Sequence, residues 1–395
     1  MTRHAYAAII AGFFTVSIAY AIRYGYGMLL PEMLPALGIT KTQAGLIFAA
    51  YFVVYTAATP VLGAMSDRYN YRIILTLFTF ILAGGALSMA FAVRMWQACL
   101  FFAVSGLGHA ACWAPVTALV QNWVPDRKRG SALAWVTMGV GLGIPLWSVL
   151  LPVIVAAADW RAGWLGMGVF ALAVAVLNVV LVRNPLPDNP SGPATHAGAA
   201  PFGQSYRDIF KNRVFWIIGT AYLLVGFNVL VPFTFLPVYA RESLGLPYAS
   251  ATRFVAIIAL CGIGGQLTLG MLSDAWGRIR VMKLCGVIMG LGCLAMVLAR
   301  QPWALYGCTG LYGLGYGAVW PVYGAAASDF FSKAHTGGIV GLWTVFLGAG
   351  SIVSPVVCGW TIDAGGGDYT WALTLGLISG ILSAVVLLAV PASNR

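Results

Sequence analysis

Twelve stretches of mostly apolar residues, separated by short polar segments, constrain this chain more than any other feature. They run roughly 6–34, 42–65, 73–93, 96–121, 131–156, 162–182, 212–240, 248–272, 281–299, 302–327, 336–361 and 370–391. A run of about 20 such residues crosses the hydrocarbon core of a bilayer as a helix. Helix is the form expected, because lipid offers no partner for backbone N–H and C=O groups. Charge argues against a soluble fold. Only 8% of the residues are Asp, Glu, Lys or Arg, against about 25% in an ordinary soluble domain. The expected fold class is an all-α membrane protein with twelve transmembrane helices in two pseudo-symmetric six-helix bundles. The apolar run after Met1 exceeds a signal-peptide core and lacks a small-residue cleavage site, so it reads as a retained first span.

The net charge of +11 would suggest nucleic acid in a soluble protein. Here the basic residues fall in short loops and set orientation instead, so no nucleic-acid partner is expected. With the N-terminus cytoplasmic, fifteen Lys and Arg lie on the inner side and six on the outer. Both termini are then expected to be cytoplasmic, in the cell inner (plasma) membrane. Residues 183–211 form the one long loop, rich in Pro, Gly, Ser and Asn, a composition that cannot bury a core. The expected organisation is a six-helix bundle over 1–182, a cytoplasmic linker over 183–211 and a second bundle over 212–395. The seven Cys lie in apolar stretches without a CxxC pair, so they read as small buried hydrophobes. No metal or cofactor is expected.

The halves repeat one another. GAMSDRYNYR begins at Gly63 and GMLSDAWGRIR at Gly270, an offset of 207. Pro31 and Pro237 keep an offset of 206, as do Pro115 and Pro321, and Trp113 and Trp320 keep 207. Parallel repeats of this kind belong to carriers that rock two halves around a midplane site.

At these residues the chain resembles the major facilitator superfamily. The signature of that family, G-x-L-[AS]-D-[RK]-x-G-R-[RK], sits between spans 2 and 3. Gly63, Ser66, Asp67, Arg68 and Arg72 match it, while Asn70 and Tyr71 depart from it. The second copy keeps Gly270, Leu272, Ser273, Asp274, Gly277 and Arg278, with Ala275 in place of a basic residue. The resemblance implies a secondary transporter, working as a monomer in the lipid bilayer, and no enzyme. It also implies a gating role for Asp67, Arg68, Arg72, Asp274 and Arg278. An acid at a helix end can accept backbone N–H groups from a neighbouring helix and pair with Arg, latching the cytoplasmic side.

Charge inside the spans points to the solute. Arg23 is the one Lys or Arg well inside a predicted span. A buried charge is costly there and marks a functional site by default. Its planar fork suits a carboxylate or another oxyanion. All eleven acids fall in loops or near span ends, so the solute itself can supply the missing negative charge. Organic-anion carriers of the superfamily are similar here, with a first-span Arg that holds a substrate carboxylate. The span-8 Asp/Arg pair of animal-type monocarboxylate carriers is absent, and Gln266 stands near that place.

His109 in span 4 is a candidate both for solute binding and for carrying a proton, since histidine titrates near neutral pH. Trp113 follows it at i+4, on the same face of a continuous helix. In the second half, Asn228 stands almost one repeat after Arg23, and Tyr316 one repeat after His109. Tyr312, Tyr316 and Trp320 recur at i, i+4 and i+8. With Gln266 they are the expected lining of an aromatic wall opposite a cationic one. For each residue taken singly, helix packing is the competing explanation.

The function expected is proton-coupled transport of a small organic anion, a monocarboxylate or related acid, by alternating access. The rival is a proton-driven exporter of hydrophobic or cationic drugs, favoured by aromatic content and by Gly139, Gly141, Gly143 and Pro145 in span 5. A flexible, closely packed span 5 is the favoured explanation of those glycines. An enzyme is not supported, because no HExxH, GxSxG or paired mid-span carboxylates occur.

Overall fold

The computed structural model describes residues 1–66, 70–184, 209–299, 301–331 and 336–391. Its long helices are α1 (Arg3–Leu37), α2 (Lys41–Ser66), α3 (Tyr71–Met89), α4 (Met95–Ala110), α5 (Ala114–Trp123), α6 (Asp126–Ala157) and α7 (Trp160–Leu181). After the linker come α8 (Arg213–Glu242), α9 (Tyr248–Trp276), α10 (Arg278–Leu298), α11 (Pro302–Phe330), α12 (Thr336–Ala364) and α13 (Thr370–Val386). Most of linker 183–211 lies outside the described residues.

The fourth predicted span is two helices, and this corrects the expectation that Trp113 shares a face with His109. Pro115 has no N–H to give the Ala111 carbonyl, so α4 ends at Ala110 and the chain restarts at Ala114 with proline in the first turn. Trp113 stands in the break and is 39% exposed. Among the described residues, eleven stretches are both long and apolar enough to cross a membrane. Pro302–Phe330 is long enough but is diluted by Tyr306, Tyr312, Tyr316, Tyr323 and Thr309.

Local chemistry explains the helix ends. Asn70, which departs from the family signature, caps α3 by accepting the Arg72 N–H at 2.9 Å. Asp159 caps α7 and Asn212 caps α8 in the same way. Gly277 joins α9 to α10 at φ +91°, where a side chain would be strained. Exposed Trp96, Trp216, Trp303 and Trp371 sit near helix starts, and Trp276 and Trp360 near helix ends. These are the positions of an interfacial aromatic belt.

The chain packs as two units. The N-terminal unit comprises Met1–Leu37 and Ala50–Ala199, and the other comprises Gly38–Ala49 and Ala200–Arg395. In the first, α1 packs on α6 and α7, and α3 packs on α4 and α7. In the second, α8 packs on α12 and α13, and α10 on α11 and α13. The duplicated sequence therefore produces duplicated packing. Contact is close because glycine faces backbone. A methyl at Gly139 would meet the Phe13 carbonyl, and one at Gly265 the Leu314 carbonyl. The span-5 glycines thus lie in α6, a helix that continues through Pro145 and rests closely on α1.

Polar residues add specific links. Asn178 of α7 donates to Thr15 Oγ1 at 2.9 Å and Thr79 Oγ1 at 3.3 Å, and accepts from Thr15. Interhelical bonds in membranes are worth about 0.6 kcal/mol on average and up to about 1.7. Asn178→Leu is expected to lower the stability of the purified protein by about 1 kcal/mol, read as a fall in melting temperature in detergent.

The first turns of α2 belong to the C-terminal unit. There Asp363, near the end of α12, accepts the Lys41 and Thr42 N–H groups at 3.1 and 2.8 Å and the Thr42 hydroxyl at 2.5 Å. Beside it Lys41 pairs with Glu242 at 3.0 Å, and Tyr369 donates to the same carboxylate at 2.8 Å. Asp363 is thus an N-cap supplied by another helix, adding charge complementarity to the helix dipole. Asp363→Ala is expected to cost about 1–2 kcal/mol, as capping residues do. Tryptophan fluorescence during thermal unfolding would report the loss.

Candidate functional site

In the N-terminal unit, α1 carries Arg23 and α2 carries a ladder of phenyl rings against it. Arg23 is 5% exposed. Its guanidinium carbon lies 4.2 Å from the centre of the Tyr55 ring, 4.9 Å from Tyr20, 5.1 Å from Phe52 and 5.4 Å from Tyr51. Arg23 Nε donates to the Tyr51 hydroxyl at 3.1 Å. That oxygen lies 2.6 Å from His109 Nδ1. The His109 ring meets Tyr20 and Tyr55 edge-on, with centroids 4.9 and 5.3 Å apart.

Burying a guanidinium costs several kcal/mol after relaxation. Each aromatic face returns about 0.5–2 kcal/mol, the larger figure in dry surroundings. The rings make the charge tolerable without neutralising it. Among the described residues no carboxylate pairs with Arg23. One terminal nitrogen, Nη2, is buried without a hydrogen-bond partner, and so is His109 Nε2. Buried polar atoms left unmatched in this way require an explanation. These two belong to the residues that meet at the Tyr51 hydroxyl, in a place built to hold positive charge. The arrangement suits an oxyanion, which accepts hydrogen bonds and supplies the absent charge.

The local sequence accounts for the convergence. Tyr51 and Tyr55 are four residues apart in α2, and Tyr20 and Arg23 are three apart in α1, so each pair shares a helix face. Gly106 in α4 touches the Tyr51 backbone, and a methyl there would run into the Tyr51 carbonyl. This contact brings α2 and α4 together just before His109, in the last turn of α4.

The structure therefore joins Arg23 and His109 but leaves Trp113 among its neighbours in the α4–α5 break. Sequence reasoning missed Tyr20, Tyr51, Phe52 and Tyr55. The recoverable signal was tyrosine repeating at helical spacing, at the same depth as an isolated arginine.

The C-terminal unit has its own cluster. Tyr316 packs against Phe233 at 5.0 Å and Trp320 at 5.7 Å, and Trp320 meets Tyr222 at 6.3 Å. Tyr312, Tyr316 and Trp320 do lie on one helix, α11. Tyr312 donates to the Asn228 carbonyl at 3.3 Å. Asn228 Nδ2 donates to the Gly376 carbonyl at 2.6 Å, joining α8 to α13, while its Oδ1 is buried without a partner. Tyr312 and Asn228 thus contribute to packing. Gln266 is half-buried on α9.

At the second signature copy, Arg278 binds Asp274 at 2.6 Å, Asp329 at 3.2 Å and the Ser273 hydroxyl at 2.5 Å. Arg278 thus ties the end of α9 to the end of α11. In the first copy, Arg72 follows the Asn70 cap and Tyr71 accepts from Asn122 at 3.0 Å. Asp67 and Arg68 lie outside the described residues.

Repeated six-span packing in both halves, with a charge held among the spans of one, defines a multi-pass membrane transporter. The chain belongs to the Major Facilitator Superfamily, whose model matches residues 12–269 and 254–395. It is 24% identical over 370 residues to the probable sulfoacetate transporter SauU of Cupriavidus necator, covering 88% of this chain and 85% of that protein. It is 25% identical to the hexuronate transporter of Bacillus subtilis, covering 88% and 86%. Its fold matches a bacterial homologue of the human lysosomal transporter Spinster with a TM-score of 0.81, at 16% identity and covering 98% and 95% of the two chains.

Proposed function

We propose that this transporter moves a small organic anion by alternating access, with the carboxylate held by Arg23 and with His109 carrying a coupled proton. The carrying observation is the Arg23 guanidinium, buried, without a carboxylate partner among the described residues and with Nη2 unmatched. The relatives support the reading, since sulfoacetate and hexuronates are small organic acids. A cationic drug is disfavoured, because the aromatic faces that would receive it already hold Arg23.

Tyr316 and Trp320, with Gln266, are assigned to the less polar part of the solute. Arg278 with Asp274, and Arg72 with Asp67 and Arg68, are assigned to cytoplasmic gating. The basic bias of the loops supports an inner-membrane protein with both termini cytoplasmic.

The test is a thermal-shift screen of the purified protein with sulfoacetate, glucuronate, benzoate, neutral sugars and cationic drugs. A ligand that binds only the native state raises apparent stability by mass action. Stabilisation by one or more of the acids is expected. Stabilisation confined to the cationic compounds would overturn the assignment.

A further inference from the structure

Tyr51 touches both the charged and the chargeable group of the cluster, Arg23 and His109. Arginine is a donor only, so the Tyr51 oxygen must accept the Arg23 Nε–H. A phenol bound to a cationic donor becomes a better donor itself, because hydrogen bonds in a chain polarise one another. The acceptor at 2.6 Å is His109 Nδ1. With His109 neutral, the sequence Arg23 Nε–H to Tyr51 O–H to His109 Nδ1 leaves the imidazole proton on Nε2. The second unmatched atom, Nε2, is then an N–H donor like Arg23 Nη2.

Protonating His109 reverses one link. The incoming proton takes the Nδ1 lone pair, and no other covalent bond forms or breaks. Nδ1–H now donates to the Tyr51 oxygen, which still accepts from Arg23. Tyr51 keeps its own proton but can no longer give it to His109, so the O–H turns outward as a donor.

We propose that Tyr51 is the positioning residue that couples proton and anion: it holds His109 as the Nε2–H tautomer, and on protonation its hydroxyl becomes a third donor to the solute. The other titratable groups facing this chain are Tyr20 and Tyr24 on α1, Tyr55 on α2 and Cys112 beyond α4, and none is a carboxylate. Among the described residues no carboxylate stands in this cluster to compete for the switched hydroxyl, which leaves the anion as its acceptor. The coupling rests on the anion reading of Arg23, whereas the tautomer does not.

Nitrogen NMR of histidine-labelled protein in nanodiscs tests the tautomer without any ligand. The His109 signal is identified by its loss in His109→Gln. In the neutral ring, Nδ1 should be the bare acceptor, with the shift of a hydrogen-bonded nitrogen. Tyr51→Phe, which changes one oxygen atom, should abolish that shift and admit the second tautomer. A parallel thermal-shift titration uses sulfoacetate and glucuronate at pH 5.5 and 7.5. Wild-type affinity should be about 10-fold tighter at the lower pH, the worth of one added hydrogen bond, and Tyr51→Phe should flatten the dependence. An Nδ1–H tautomer in the wild type, or an unchanged spectrum in Tyr51→Phe, overturns the proposal. A pH dependence surviving intact in Tyr51→Phe overturns the coupling. Failure of the wild type to bind any acid would remove the anion reading, with the spectrum still deciding what Tyr51 does.

Discussion

Arg23→Met is expected to abolish anion uptake into proteoliposomes while the protein folds and melts within about 1 kcal/mol of wild type. The two halves of that result test different things. Truncating one member of a buried charge pair usually costs 3–5 kcal/mol, because the partner is left charged and unmatched. Arg23 leaves no carboxylate behind among the described residues. Methionine fills similar volume, and its sulfur packs well against Tyr20, Phe52 and Tyr55. Lost cation–π contacts are offset by relief of the desolvation cost. The solute has no such compensation. Losing a charge-assisted contact in a dry site costs about 2–5 kcal/mol, so the apparent Kd should rise at least ~30-fold. Arg23→Lys keeps the charge but not the planar fork or the Nε–H to Tyr51, so it should recover only part of the activity. A melting temperature that collapses in Arg23→Met, or uptake that persists at the wild-type rate, would place Arg23 in the scaffold.

How legible this was in the sequence depends on the kind of signal. Apolar length located the helices, because a bilayer imposes nearly the same requirement on every span. The repeat at 206–207 anticipated that α1 on α6 would recur as α8 on α12. Arg23 stood out because charge within a span has few benign explanations. Tyr51 did not, because a tyrosine in an apolar run reads as packing until its hydroxyl is placed. That placement depends on the rotation of α2 and on its closeness to α4. The α4–α5 break was written in Pro115, but its consequence is geometric: the interruption removes Trp113 from the face of His109. In Asn228 the same residue type that reads as solute-binding proves to spend its donor on Gly376.

Gly106→Val is expected to disable transport and destabilise the protein together, for a reason unlike that for Arg23. The α4 backbone at Gly106 lies against the Tyr51 carbonyl of α2, and even a methyl group would overlap it. Overpacking of this kind typically costs about 1–3 kcal/mol and is relieved by moving backbone. Because one side of the contact is main chain, no rotamer change can absorb the clash, so α2 and α4 must separate. Tyr51 and His109 sit on those two helices and share a bond of 2.6 Å. A separation of about 1 Å would exceed the usual hydrogen-bond limit, and Arg23 would keep its charge while losing the chain that orders it. Gly84→Val is the matched control, because a Cβ there meets nothing within 4 Å. It should stay within about 0.5 kcal/mol of wild type, as surface changes do. The two valine variants can be compared by melting temperature and by the histidine NMR signal of His109. Gly106→Val should lose the hydrogen-bonded Nδ1 shift and Gly84→Val should keep it. Equal effects of the two substitutions would mean that the α2–α4 contact does not set the geometry of the site.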